Sequence, residues 1–191
     1  MVKFSQHQLS IYQVQTYHHE SLYIENLPAA IRAQYSDTSG MSDFEIEVFI
    51  ETSLTWELGE LEMVGYVGLF HLWEKYSKDF ISRVLGKKSR EWPSLGRMAY
   101  PKKVVTHLEK MGISISEGVE TSLIEANSVV NAYKHGEEAL EKLLVEHPEY
   151  FCVSGEVDSF CIPEGCLKEL FNTVKGFWVE VESQVELDFN W

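Results

Sequence analysis

Cysteine is scarce in this chain: three in 191 residues, an odd number with no Cys-x-x-Cys spacing. Cys152, Cys161 and Cys166 therefore offer no zinc or redox pair, and a reducing cytoplasm is their natural home. Five prolines and 12 glycines argue against a turn-rich, multi-stranded β fold. No apolar run reaches the roughly 20 residues of a membrane span. The longest, Met63 to Trp73 (MVGYVGLFHLW), reads as buried helix with His71 as a core histidine. Met1 to Ser10 holds one lysine and no apolar run, so no signal peptide and no membrane partner are expected. Ser-His-Asp, His-Glu-x-x-His and P-loop patterns are missing, and neither a cofactor nor a metal is expected. His18 and His19 are adjacent and point to different faces, which makes them poor joint ligands.

What is present suits one globular domain, residues 1–191, with an N-terminal segment over 1–40 and a helical core over 41–191. Hydrophobic residues are 45%, charged ones 24% and aromatics 13%, enough for a core with several large side chains. The net charge of -14 is unevenly spread. Ala33 to Glu74 holds nine acids and no Lys or Arg. Lys75 to Lys110 holds ten cations against Asp79, Glu91 and Glu109, and Met111 to Trp191 holds sixteen acids against four lysines. Such segregation implies either an oriented molecule or acidic and basic helices that neutralise each other on packing.

Local signals predict a mainly α, all-α helical bundle with two long helices. Residues 10–28 suggest a helix stopped by Pro28, followed by a loop over 33–43. Ser42 and Glu45 form a capping box, and Ile46, Ile50, Leu54, Leu58, Leu61, Leu69, Leu72, Tyr76 and Phe80 keep helical spacing beyond it. That gives one helix to about Leu85 or two joined near Gly59. Gly65 and Gly68 on adjacent turns invite a second helix to approach, and motivate association into a homodimer. Gly86 to Pro101 reads as an irregular connector, followed by a short helix closed by Gly112. A further helix starts at Ser114 or Ser116 and ends at His135, and Glu137 to Glu146 adds a short one. Alternation over 150–162 suggests a small irregular or β-hairpin cover. A last helix is expected from Pro163 through Leu187.

The helix ending in NAYKHGEE carries the most specific pattern. Val119, Leu123, Ala126, Val130 and Tyr133 share one apolar stripe, and Asn127, Asn131 and His135 form a ridge beside it. Lys134 and His135 favour the helix C-terminal dipole and Gly136 supplies the cap. Asn131, Lys134 and His135 are also candidate catalytic groups, with Asn127 a candidate binding residue.

EANSVVNAYKHGEEALEKLLVEHPEYF resembles the end of the second long helix of HEPN-domain proteins, small helical domains of many prokaryotic RNase toxins and defence effectors. YVGLFHLWEKYSKDFI is similar to their other long helix, and FCIPEGCLKELFNTVKGFW to a closing helix, so the likeness covers about residues 60–180. The resemblance implies a HEPN-like bundle, a homodimer with both motifs on one RNA-cleaving cleft, and His135 and Asn131 as motif residues. Active members carry an arginine five to seven residues before the histidine; here those positions are Ser128, Val129 and Val130. Metal-free transesterification needs positive charge at the phosphorane, so the motif as it stands implies a degenerate nuclease that acts by binding.

Lys87, Lys88, Arg90, Arg97, Lys102 and Lys103 surround Trp92 and Tyr100 in the connector. Cations for phosphates between aromatics for bases fit single-stranded nucleic acid; a surface loop with Trp92 plugged into the core is the plainer reading. The expectation is a HEPN-like cytoplasmic prokaryotic or phage protein in RNA-linked stress or defence, binding RNA or a protein partner. The alternatives are an active metal-independent RNase toxin using His135, or an acidic inhibitor or antitoxin-type partner.

Overall fold

The computed structural model describes residues 2–86, 98–151 and 160–188 and is mainly helical. Strand β1 (Val2–Ser5) leads into α1 (Gln6–Glu20), where the Ser5 hydroxyl accepts the Gln8 N–H. The chain passes through a π-helical stretch, Ser21–Asn26, straight into α2 (Leu27–Gln34). Pro28 therefore does not stop the helix as its chemistry suggests. It sits at the second position of α2, immediately after the π-helical stretch, inside one continuous helical run.

Residues 35–42 reverse the chain. The Ser42 hydroxyl accepts the Glu45 N–H while the Glu45 carboxylate accepts the Ser42 N–H at 2.8 Å, the reciprocal box the sequence predicts. From there α3 (Asp43–Glu45), a second π stretch (Ile46–Glu51) and α4 (Thr52–Val84) run on without interruption at Gly59. Helix α5 (Tyr100–Lys110) begins with Pro101 in its first turn, so Tyr100 belongs to this helix and not to an irregular connector. After it come α6 (Glu117–His135), α7 (Glu137–Glu146), a 3-10 turn at Pro148–Tyr150, and α8 (Cys166–Glu182).

The last helix differs from the sequence expectation at both of its ends. Helix α8 starts at Cys166, not Pro163, because Gly165 turns with φ 94° and Glu62 on α4 accepts the Gly165 and Leu167 N–H groups at 2.9 and 3.3 Å. Its end at Glu182 frees Val185–Asp188 as β2, which pairs in parallel with β1, Val2 opposite Val185. This strand pair ties both ends of the described chain to the core. Within 150–162, an antiparallel bridge joins Phe151 to Phe160.

The core is aromatic. Tyr12, Phe70, Trp73, Phe80, Phe171, Phe177 and Trp178 are each less than 2% exposed, and each contributes roughly 1.5–3 kcal/mol by leaving water. Trp73 meets Phe177 edge-on at 5.5 Å, and Tyr12 stacks on Tyr76 at 4.8 Å. Phe4, Leu9, Tyr12 and Thr16 of the N-terminal segment are part of this core. Gly65 is where three segments meet: a side chain there would strike Leu167 of α8 and Tyr23 of the π stretch. Gly68 lies under His19, whose Nε2 is 2.8 Å from the Gly65 carbonyl. The close approach these glycines permit is thus used inside the chain, which removes them as a reason for a homodimer. His71 is not a core residue either: it is partly exposed, with Nδ1 2.6 Å from the Glu74 carboxylate one turn on.

Candidate functional site

Gly136 decides the geometry of the Lys-His-Gly corner. Its φ of 75° and ψ of -150° end α6, and its carbonyl then accepts the N–H groups of Ala139 and Leu140 to start α7. One residue thus closes one helix and opens the next, and α7 folds back along α6. The buried face of α6 is Leu123, Ala126, Val129, Val130 and Ala132. Tyr133, expected in the apolar stripe, is 47% exposed, because the return of α7 shifts burial toward Val129 and Ala132.

Asn127 and Asn131 are half-buried along this helix, while Lys134 and His135 are exposed at its end. The three positions where the nuclease motif would hold an arginine are filled otherwise. Val129 and Val130 are in the core, and the half-buried Ser128 hydroxyl donates to the Ile124 carbonyl at 3.3 Å. Lys134 is the adjacent cation, and Glu137 and Glu138 follow directly on the far side of Gly136. An imidazole beside one lysine and two carboxylates can take or give a proton but gathers little positive charge for a phosphorane.

The second predicted surface divides. Lys87, Lys88, Arg90, Trp92 and Arg97 lie outside the described residues. Lys102 is exposed and Lys103 half-buried on α5. Tyr100 is no stacking platform: its ring packs edge-on against Trp73 at 5.9 Å and its hydroxyl donates to the Glu74 carbonyl at 2.8 Å. Burial pushes that phenol up to about 12.

A polar cluster that sequence reading missed lies where α7 ends. Tyr150, buried, donates to Glu125 of α6 at 2.7 Å. His147 Nδ1 stands 3.1 Å from the Glu149 carboxylate. Glu125, His147 and Glu149 place one donor atom each within 4.8 Å of one another, a set able to hold a metal ion. Tyr66 and Cys166 border the cluster, and burial, helped by Glu169, pushes the Cys166 thiol up to about 11. A thiol so raised is a poor nucleophile. The HPEY string marks the turn, but only the folded chain brings Glu125 to it.

The acidic stretch forms the most unusual surface. From Tyr17 to Glu62 no residue is buried; α2 packs against α4 to form a projecting hairpin, and α3 and the second π stretch precede α4 in the same helical run. At 1.5 Å per residue, 43–62 extends roughly 30 Å before Met63 enters the core. Its inner face, Ile46, Ile50, Leu54 and Leu58, is half-buried, and Tyr35 donates to Glu57 across the hairpin at 2.5 Å. Its other faces expose Phe44 (68%), Phe49 (58%), Trp56 (68%) and Val48 (40%). Among the described residues the ion pairs of Lys and Arg are Lys3–Glu186, Arg83–Asp79, Lys142–Glu146 and Lys175–Glu20. None of these pairs involves an acid between Ala33 and Glu74.

Among the described residues no helix is long and apolar enough to cross a membrane. Comparison of the chain with protein-family models, curated proteins and solved structures gives no match.

Proposed function

We propose that this protein acts by binding and not by catalysis, as an acidic interaction protein whose projecting hairpin takes a basic protein partner. The observation that carries the reading is a helix with apolar side chains on more than one side. Ile46, Ile50, Leu54 and Leu58 form a half-buried face, α2 packs against α4, and Phe44, Val48, Phe49 and Trp56 are left exposed on the other sides. A helix apolar around most of its girth belongs in an interior, and exposed aromatic patches of this kind mark interaction sites. Asp43, Glu45, Glu47, Glu51, Glu57 and Glu60 ring them. RNA would be repelled by those charges; a cationic surface would be steered to them. A second copy docking through the same face would set acid against acid.

The resemblance to HEPN domains supplies the setting: the partner is a nucleic-acid-binding protein of RNA-linked stress or defence, and this chain is its inhibitor-type companion on a scaffold that has lost the nuclease arginine. Val129 and Val130 in the core and an exposed His135 support the loss of catalysis.

The test uses a helical lysine–leucine peptide as the cationic probe, titrated into the full chain. Trp56→Ala should weaken binding by tenfold or more, the loss of one aromatic anchor worth about 2 kcal/mol, and added salt should weaken it further. Equal affinity in wild type and a Phe44→Ser/Phe49→Ser/Trp56→Ser variant would defeat the proposal. So would light scattering showing a dimer that the same variant dissolves, because the occupant would then be a second copy. Wild type and His135→Ala should both fail to cleave single-stranded RNA without metal; cleavage lost only in the variant would restore the nuclease reading.

A further inference from the structure

The end of α7 assembles a donor set from three separate places. Glu125 projects from the middle of α6, His147 caps α7, and Glu149 sits in the 3-10 turn. Their donor atoms lie within 4.8 Å of one another. The set is mixed, one imidazole with two carboxylates, and it is half-shielded: Glu125 and His147 are partly buried and Glu149 is exposed. It is also supported from behind. Tyr150, 3% exposed, donates to Glu125 Oε1 at 2.7 Å, which fixes the carboxylate's direction and leaves its second oxygen for another partner. A hydrogen bond to a ligating carboxylate is the usual means of orienting it.

The charge around this set is one-sided. Glu125 and Glu149 are joined on the Cys166 side by Glu62 and Glu169. None of the lysine or arginine ion pairs among the described residues reaches Glu125 or Glu149. Carboxylates gathered with an imidazole and without an ammonium or guanidinium call for a cation of some other kind.

We propose that Glu125, His147 and Glu149 bind a divalent transition-metal ion of the zinc class, oriented through Tyr150, and that the ion fastens the 147–149 turn to α6. The ligand chemistry selects the ion. Imidazole nitrogen and carboxylate oxygen bind zinc at about 2.0–2.2 Å, and tetrahedral bonds of that length set donors about 3.4 Å apart. Donors already within 4.8 Å close that gap by small side-chain rotations. Magnesium prefers an octahedral shell of oxygens at 2.0–2.1 Å and gives up water reluctantly, so a site with an imidazole disfavours it. Three protein ligands leave the fourth position to water. The site is remote from the acidic hairpin in the chain and stands or falls independently of the binding function proposed above.

The experiment is calorimetric titration of zinc chloride into the full, chelator-treated chain, paired with thermal melting. One zinc per chain should bind and raise Tm, and magnesium at the same concentration should leave Tm unchanged. His147→Ala and Glu125→Gln should each weaken binding by tenfold or more. Tyr150→Phe, which keeps the buried ring and removes the hydroxyl that donates to Glu125 and also meets Tyr66 and Cys166, should weaken it about tenfold. Cobalt should give visible absorption bands in wild type that His147→Ala removes. Glu149→Gln changes an exposed side chain and guards against misfolding of the other variants: it too should weaken zinc while leaving the circular dichroism spectrum unchanged. Failure of zinc to bind saturably overturns the site, as does undiminished binding in both His147→Ala and Glu149→Gln, which would place the ion elsewhere.

Discussion

Gly59 and Gly65 stand on the same helix, less than two turns apart, and should respond to alanine in opposite directions. In a helix interior alanine is favoured over glycine by about 1 kcal/mol, through backbone entropy. At Gly59 a new Cβ meets nothing within 4 Å, so Gly59→Ala should stabilise by up to about that amount. At Gly65 the same atom would lie 2.8 Å from Leu167 Cδ2, 3.0 Å from Tyr23 Cδ1 and 3.1 Å from Tyr23 Cβ. The leucine tip can rotate away, but Tyr23 Cβ moves only with its backbone, so the π stretch or α8 must shift. Overpacking of this kind costs about 1–3 kcal/mol, which outweighs the entropy gain. Chemical or thermal melting should therefore place Gly65→Ala below wild type and Gly59→Ala above it, the two separated by about 2 kcal/mol. For a chain of this size that is roughly 4–8 °C in Tm. Light scattering on both variants completes the test. If Gly65→Ala were as stable as Gly59→Ala but altered the association state, the glycine would face a second copy and the intramolecular account would be wrong.

Two further outcomes follow from single contacts. Glu62→Ala removes the carboxylate that accepts two N–H groups at the start of α8, where Gly165 has no side chain to do so; it should cost about 1 kcal/mol, read as a Tm loss of about 2–4 °C, and an unchanged Tm would show that α8 is capped by other means. His19 is held below the ordinary histidine range chiefly by burial. The unfolded chain then takes up the proton more readily, so its stability contribution is complete above the ordinary value near 6.5 and is lost as pH falls through the folded value. Melting profiles between pH 7.5 and 5 should fall more steeply for wild type than for His19→Gln, which keeps an N–H for the Gly65 carbonyl; parallel profiles would refute the assignment.

What the sequence makes legible here is what neighbours in the chain decide. The Ser42–Glu45 box, the length of α4, the stop at Gly112 and the corner at Gly136 all depend on residues within one or two turns. The start of α8 does not, because Glu62 fixes it from a distant helix. Nor does the β1–β2 pair, whose two strands are short and come from opposite ends of the chain. His71 reads as core from its apolar neighbours, yet a carboxylate three residues on holds it at the surface. The Glu125, His147 and Glu149 set is invisible for the same reason: two of its members share one turn and the third arrives only when α7 folds back on α6.

The hairpin is the instructive case, since its chemistry was legible while its meaning was not. Helical spacing identifies Ile46, Ile50, Leu54 and Leu58 as a face, and the charge count shows nine acids without a Lys or Arg from Ala33 to Glu74. Neither reveals that α2 packs against α4, or that the lysine and arginine ion pairs among the described residues leave these acids out. Only with the packing known do Phe44, Val48, Phe49 and Trp56 become a second apolar surface that the described residues leave exposed. A helix retaining two apolar faces on a projection with no core of its own gains little stability from the second one. On the proposed reading those side chains serve a partner outside the fold, and the surrounding carboxylates favour one carrying positive charge.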